Sequence, residues 1–426
     1  MAAGTPELPQ NLTARWRQAQ AASDALWTAI LPTAIYERPV PERHRLIFYL
    51  GHLEAFDWNL LSPALELTPF HPAWDQLFAF GIDPVAGELP QDQPADWPGV
   101  EAVAAYNRSA REKMEAALPP HLEREIDGEA GGELALRLQV AIEHRWMHAE
   151  TLCYLFHNLA YDLKTAGPAP RIAAARSYAA EPVPVPAGAA TLGQRRHGGF
   201  GWDNEFEVHT VPVGAFVADR FKVTNGEYLN FVAAGAAPPH FWHQRDGAWW
   251  YRGMFAEAPL PLDQPVYVTH AEAQAYAAWA GKALPSEAQW HRMAYATPSG
   301  EERDFPWGPW GPSAATAERG NFDFRHWDPV STTAHPAGAS AWGIEDLLGN
   351  GWEWTSSRFA PFPGFQPMSF YPGYSANFFD GQHYVMKGAS ARTAACLARR
   401  SFRNWFQPRY PYAYSGFRCV DTASSD

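Results

Sequence analysis

Residues 143–150, EHRWMHAE, carry two histidines four positions apart, His144 and His148, in a segment whose pattern predicts a helix. At this spacing both imidazoles leave one face of a helix, a single turn apart. Apolar residues continue the same face from Leu134 to Leu155, so we expect both rings to point into a helix-packed interior. Buried imidazoles are unfavourable unless their nitrogens are satisfied, and one metal ion would satisfy both. The motif alone is at least equally compatible with two core or surface histidines bonded to carbonyls or water.

Amphipathic patterns predict four helices in the first 166 residues. They are expected at 12–30, from near 41 to about 60, at 100–118 and at 132–163. The third helix is expected to end at Pro119-Pro120, because proline disfavours helix in the residue before it. The second helix carries His52 among its inward positions, although a lone histidine there is more often an ordinary core residue. An up-and-down bundle of these helices would bring His52 to the histidine pair, since bundle metal sites are built from facing side chains.

Composition limits the classes of function. The chain has 426 residues and a formal net charge of -13, from 33 basic and 46 acidic residues, which argues against a nucleic-acid partner. Its 3 cysteines are widely spaced, which argues against a disulfide framework and fits a reducing compartment. The sequence contains neither a signal-peptide pattern nor a run of about 18 apolar residues. We therefore expect a soluble cytoplasmic protein that has no membrane partner.

The composition and the hydrophobic pattern of the sequence change after the predicted bundle. Residues 167–190 are rich in proline and alanine, and we interpret them as a linker. Residues 191–426 contain short aromatic and β-branched runs separated by turn residues, with helices plausible at 224–233, 270–280 and 286–296. The predicted fold class is therefore multi-domain, with a four-helix bundle at 1–166 followed by an irregular α+β domain at 191–426.

Several phrases of the second domain are specific as a set. They are GFGWDNE (199–205), VTNGEYLNF (223–231), LPSEAQWHRMA (284–294), DLLGNGWEWTSS (346–357), VMKGAS (385–390) and SGFRC (415–419). This set resembles the formylglycine-generating-enzyme-like fold, which is related to C-type lectin folds. The HxxxHxE helix, with a GHxxxxD-like segment at 51–57, resembles the DinB-like four-helix bundle. The two together are similar to the ergothioneine-type sulfoxide synthases and their selenoneine-forming relatives, over roughly residues 12–420.

The resemblance implies a non-haem Fe(II) cofactor with O2 as co-substrate. His52, His144 and His148 match the three histidines that bind iron in that family. Three imidazoles leave up to three positions on an octahedral iron for a substrate imidazole, a thiolate or selenolate, and O2. Tyr371 matches the family's proton-donating tyrosine, a role that suits a phenol because it is neutral at pH 7.

Further positions match residues that contact the substrate in that family. Tyr374, Asn404 and Trp405 stand where hercynine, the trimethylated histidine, is held. An amide can bind its carboxylate, and an aromatic face can receive its trimethylammonium group. Without the resemblance, these residues would be interpreted as aromatic packing and a turn.

Three positions that contact the substrate or the sulfur or selenium donor in that family carry different residues here. Met147 replaces a common glutamine, whereas Phe406 and Tyr410 replace an acidic residue and an arginine of the members that use γ-glutamylcysteine. These departures argue against that donor and leave cysteine or a neutral selenosugar. Arg108 and Arg111, three apart on one predicted helix face, could still bind a donor carboxylate.

Other classes of protein compete with this interpretation. A DinB-like zinc-dependent thiol transferase would use the same three histidines but leaves Tyr371 unexplained. The second domain could also be a ligand-binding module without catalysis, since fold does not imply function. A formylglycine-generating enzyme is rejected, because the positions of its cysteine pair correspond to Thr393 and Ala398.

Overall fold

The structure, a computed structural model, describes residues 9–79, 89–126, 132–171, 181–196, 198–309 and 317–422. The chain divides into two units, Met1–Gly167 and Pro168–Asp426. Within the described ranges, no helix has the length and apolar character needed to cross a membrane.

The first unit is helical. Its described α-helices are α1 (Pro9–Leu26), α2 (Leu46–Leu61), α3 (Pro72–Leu77), α4 (Val100–Ile126) and α5 (Glu133–Asn158). Helix α1 packs on α5, and α2 packs on α4, on α5 and on the short α3. Because α2 and α5 are in contact, residues on their facing sides can form one site.

The ends of two helices differ from the sequence prediction. Helix α4 continues through Pro119 and Pro120 to Ile126, so the predicted end at this pair was wrong. Proline removes a backbone donor but holds φ near the helical value, and the buried side chains of Leu118 and Leu122 favour continuation. Helix α2 begins at Leu46 and not near residue 41, because the backbone of the preceding residue is extended.

The second unit combines short helices with small sheets. Its described helices are α6 (Asn225–Ala233), α7 (His270–Trp279), α8 (Glu287–Tyr295) and α9 (Gly373–Ala376). Its described strands are β1 (Val183–Val185), β2 (Gly188–Leu192), β3 (His209–Val213), β4 (Phe216–Ala218), β5 (Trp242–Arg245), β6 (Ala248–Arg252), β7 (Glu257–Pro259), β8 (Gly351–Arg358), β9 (Tyr384–Ala389), β10 (Asn404–Phe406), β11 (Ser415–Gly416) and β12 (Val420–Thr422). The sheet orders are β1-β4-β12, β10-β9-β8-β11, β2-β3 and β5-β6-β7. Strand β11 pairs parallel to β8, and the other named pairs are antiparallel.

The predicted linker at 167–190 includes strand β1 and the start of β2. Proline within the strand is tolerated because β1 lies at the edge of its sheet, where Pro184 has β4 on one side. Val185 is buried in the core of the unit, which stabilises this edge. Residues 172–180 of the predicted linker lie outside the described residues.

Helices α6, α7 and α8 confirm the three helices predicted for this half of the chain. Each begins with a capping box, in which a Ser or Thr side chain and a Glu or Gln three residues later satisfy each other's backbone N–H groups. The pairs are Thr224 with Glu227, Thr269 with Glu272, and Ser286 with Gln289.

A buried carboxylate ties the central sheet to the rest of the second unit. Glu353 on β8 accepts hydrogen bonds from Lys222 Nζ at 2.8 Å, Arg418 Nε at 2.7 Å and Trp290 Nε1 at 3.0 Å. Burial would raise the pKa of Glu353, but the charges of Arg418 and Lys222 hold it below its ordinary value. The WEW and GFR phrases, Trp290 and the lysine that precedes the VTN phrase therefore meet at one buried ion-pair centre.

Candidate metal centre and aromatic cluster

The three predicted metal ligands come together in the helical unit. His52 lies on α2, and His144 and His148 lie on α5, with one ring nitrogen of each within 4.8 Å of the other two. The Nε2 atoms of His52 and His148 are 3.2 Å apart. Two nitrogens about 2.1 Å from one ion and at a right angle would be about 3.0 Å apart, so this pair has the separation of ligands to a shared metal.

Burial keeps these imidazoles neutral. It lowers the pKa of His52 to about 4, and it lowers those of His144 and His148 well below the usual value, with the neighbouring histidines adding to the effect. Neutral imidazole is the form that binds metals. Among the described residues, Nδ1 of His144 and of His148 has no hydrogen-bond partner, and such buried groups are unfavourable. A divalent ion such as Fe(II) or Zn(II) fits this set of three neutral nitrogen donors.

A backbone carbonyl sets the orientation of His52. Its Nδ1–H donates to the Phe78 carbonyl oxygen at 2.7 Å, which leaves the Nε2 lone pair for a metal. The preceding Gly51 permits this contact, because a Cβ there would lie 2.6 Å from the Phe78 ring. The glycine and histidine of the GHxxxxD-like segment thus act together, and sequence reasoning did not identify Phe78.

A buried ion-pair cluster lies beside the histidines. Arg145, which follows His144, is 1% exposed and donates to Glu54 at 3.0 Å and to Asp57 at 2.7 Å, both on α2. The Asp57 carboxylate also accepts from Trp16 Nε1 at 2.8 Å. The sequence signal for this cluster was the presence of charged residues at inward positions of a predicted helix. Its ion pairs connect α5 to α2 next to the three histidines.

The arginines predicted to bind a donor carboxylate lie on α4. Arg108 is exposed, whereas Arg111 already donates to Asp24 at 2.6 Å and to Glu54 Oε1 at 2.8 Å. A substrate carboxylate would have to displace one of these partners, so donor binding by the arginine pair stays a prediction. Met147 is half-buried on α5, and its predicted role is likewise untested.

The aromatic residues predicted to act on the substrate are neighbours within the second unit. The ring centroids of Tyr371 and Tyr374 are 5.6 Å apart, and those of Tyr374 and Trp405 are 5.4 Å apart. Tyr374 stacks on Trp202 at 3.8 Å, and Trp405 stacks on Phe359 at 4.1 Å. The packing predicted for an aromatic loop is therefore present whether or not these rings also contact a substrate.

The phenol of Tyr371 stays protonated at neutral pH. Burial, with the nearby charge of Asp203, raises the pKa of Tyr371 to about 12. Asn404 lies on β10, where its Oδ1 accepts from the Trp405 N–H at 2.9 Å. Phe406 stacks on Tyr410 with their ring centroids 5.0 Å apart, so two of the three residues that depart from the family pattern pack against each other.

Comparison with known proteins identifies the family. Residues 169–423 match the sulfatase-modifying factor enzyme 1-like domain. This match covers more than half of the chain, which therefore belongs to that family. The predicted formylglycine-generating-enzyme-like α+β fold of the second unit is thereby confirmed, whereas the DinB-like assignment of the helical unit stays a prediction.

Three named relatives are similar to this chain over different parts of its length. The chain is 40% identical over 240 residues to the hercynine oxygenase of Mycolicibacterium thermoresistibile, covering 51% of this chain and 53% of that protein. It is 28% identical to ergothioneine biosynthesis protein 1 of Neurospora crassa, covering 95% of this chain and 57% of that protein. It is 29% identical to the formylglycine-generating enzyme of Mycobacterium tuberculosis, covering 44% and 78%. The chain spans about half the length of the first two, and the predicted resemblance to the ergothioneine-type enzymes is confirmed.

Proposed function

We propose that this chain is an O2-dependent enzyme that joins the imidazole carbon of hercynine to a sulfur or selenium donor and oxidises the chalcogen. The observation that carries the proposal is the trio His52, His144 and His148, of which the first two are buried and His148 is half-buried, with one ring nitrogen of each within 4.8 Å of the other two. The relatives named hercynine oxygenase and ergothioneine biosynthesis protein 1 support hercynine as the substrate. Fe(II) held by the three histidines would supply O2 activation and would acidify a thiol or selenol bound to it.

The chain's own residues would bind the substrate and supply the proton. Tyr371 would donate it, because a phenol with a pKa of about 12 remains protonated at neutral pH. The faces of Tyr374 and Trp405 would receive the trimethylammonium group by cation-π attraction. Asn404 would hold the carboxylate of hercynine.

The donor is proposed to be a neutral selenosugar or cysteine, with γ-glutamylcysteine disfavoured. Phe406 and Tyr410 stack on each other where charged residues would be needed to bind a γ-glutamyl group. Met147 adds a further apolar side chain at the position of a common glutamine, which favours the selenosugar slightly.

The test is anaerobic reconstitution with Fe(II), followed by addition of O2 and hercynine with cysteine, γ-glutamylcysteine or a seleno-β-sugar in parallel reactions. Product masses would identify the donor, because a selenium-containing adduct in only the last reaction marks a selenoneine-forming enzyme. His52→Ala should abolish coupling. Coupling with none of the donors, together with one copurifying zinc ion per chain, would reject the proposal in favour of a zinc-dependent thiol transferase, which the same three nitrogens also suit.

A further inference from the structure

A buried carboxylate, Asp203, contacts the segment that carries Tyr371. Asp203 is 2% exposed, and its Oδ1 accepts a hydrogen bond from the Ser375 hydroxyl. The backbone N–H of Met368 also stabilises the charged form of this carboxylate. Tyr371 lies between these two contacts, and its own N–H donates to the Met368 carbonyl oxygen at 3.1 Å. Asp203 therefore binds both ends of the turn in which Tyr371 is placed.

The two neighbours of Asp203 hold the same segment. Asn204 Nδ2 donates to Ser375 Oγ at 2.9 Å, and Ser375 is fully buried. The ring of Trp202 stacks on Tyr374 at 3.8 Å, with 22° between the ring planes. Three successive residues of the GFGWDNE phrase thus contact the segment 368–375, although sequence reasoning used the phrase only to recognise the fold.

The charge of Asp203 also acts on the Tyr371 phenol. Burial raises the pKa of Asp203, but the Ser375 hydroxyl and two backbone N–H groups oppose that rise. Glu205, the other acidic residue of the short helical turn 203–205, accepts a hydrogen bond from Arg399 Nε at 2.8 Å. Within the described residues, Oδ2 of Asp203 has no hydrogen-bond partner, so no salt bridge through this oxygen offsets the charge.

We propose that Asp203 is a positioning residue for Tyr371, in which the carboxylate holds the turn that places the tyrosine. The proposal rests on the proposed function, in which Tyr371 donates the proton. Asp203 itself is not proposed to contact the substrate. It would affect the reaction by placing the Tyr371 side chain.

The test compares Asp203→Asn, Asp203→Ala and Ser375→Ala in the Fe(II)-reconstituted full chain. Asparagine keeps an oxygen for the Ser375 hydroxyl but removes the charge that opposes ionisation of Tyr371. For Asp203→Asn we therefore expect the loss of kcat at alkaline pH to begin at lower pH than in the parent enzyme. For Asp203→Ala we expect kcat to fall at least tenfold, with the KM for hercynine nearly unchanged. Amide hydrogen exchange across 368–378 should be faster in Asp203→Ala and Ser375→Ala than in Asp203→Asn.

A reference variant separates the two proposals. If Tyr371→Phe couples hercynine as well as the parent, the role of Tyr371 in the proposed function is wrong. If Tyr371→Phe is inactive while Asp203→Asn and Asp203→Ala keep the parent kcat and pH profile, the positioning role of Asp203 is refuted. Should Asp203→Ala not fold, Asp203→Asn and Ser375→Ala still decide the question through the pH profile and hydrogen exchange.

Discussion

Gly51→Ala should weaken metal binding without removing a metal ligand. An alanine Cβ would lie 2.6 Å from one carbon of the Phe78 ring and 2.7 Å from two others. Since carbon atoms pack at about 3.5–4.0 Å, the ring must withdraw by about 1 Å. Phe78 is fully buried, so this overpacking should cost about 1–3 kcal/mol. Alanine is favoured over glycine inside a helix by about 1 kcal/mol, which leaves a net loss of at most about 2 kcal/mol.

The larger effect should be on His52, because moving the Phe78 backbone disturbs the 2.7 Å hydrogen bond that orients its ring. Loss of such a partner typically weakens metal affinity by about 10–100-fold. Anaerobic calorimetric titration with Fe(II) would measure the affinity, and urea unfolding of the metal-free chain would measure the stability. Gly99→Ala is the matched control, because nothing lies within 4 Å of a Cβ at that position.

Adding Phe78→Leu to Gly51→Ala should relieve the clash while retaining the carbonyl, and so recover much of the affinity. The reasoning is refuted if Gly51→Ala binds Fe(II) as tightly as the parent chain. It is also refuted if the Gly99→Ala control loses as much affinity.

Other perturbations test separate parts of the structure. Arg145→Met deprives the buried carboxylates of Glu54 and Asp57 of a partner, and urea unfolding should show a loss of about 3–5 kcal/mol; an unchanged midpoint would contradict this. Tyr371→Phe should keep the fold and metal affinity but reduce coupling by about 100-fold or more, as measured by product mass. Burial raises the pKa of Asp346 to about 7, so the folded chain retains a proton that the unfolded chain has lost. Stability from this group should therefore fall as pH rises from about 4 to about 7. Asp346→Asn should flatten that slope in urea midpoints at about pH 5 and 8, and an unaltered slope would assign it to other groups.

The helices that could be predicted from the sequence have either a periodic apolar face or capping residues close to their start. His144 continues an apolar face of period 3.6 and His52 occupies an inward position on a second helix, so the burial of these two followed from the pattern, whereas His148, one turn on from His144, is half-buried. Helices α6, α7 and α8 were predictable because their capping residues lie within three positions of each start.

Contacts between distant residues account for what the sequence did not predict. The Phe78 carbonyl is 26 positions from His52, and Ser375 is 172 positions from Asp203. Neither distance has a periodic signature, because the partners are brought together by the fold of the whole unit. The end predicted at Pro119 failed for a related reason, since packing of the helix beyond it overrides a local preference.

The sheet of order β1-β4-β12 brings the first and last described strands of the second unit onto the two sides of β4. Val183 of β1 and Val420 of β12 both pair with Ala218 of β4, from opposite sides. Two strand spacings, about 10 Å, separate these outer strands, which run parallel to each other, so a flexible linker of about a dozen residues would cross over β4 from the end of β12 to the start of β1. The chain could be joined there and reopened at the exposed Asp246-Gly247 hairpin turn, where both residues have positive φ. A circularly permuted second unit should therefore retain its buried ion-pair centre, which would make its fold independent of the order in which its strands are connected.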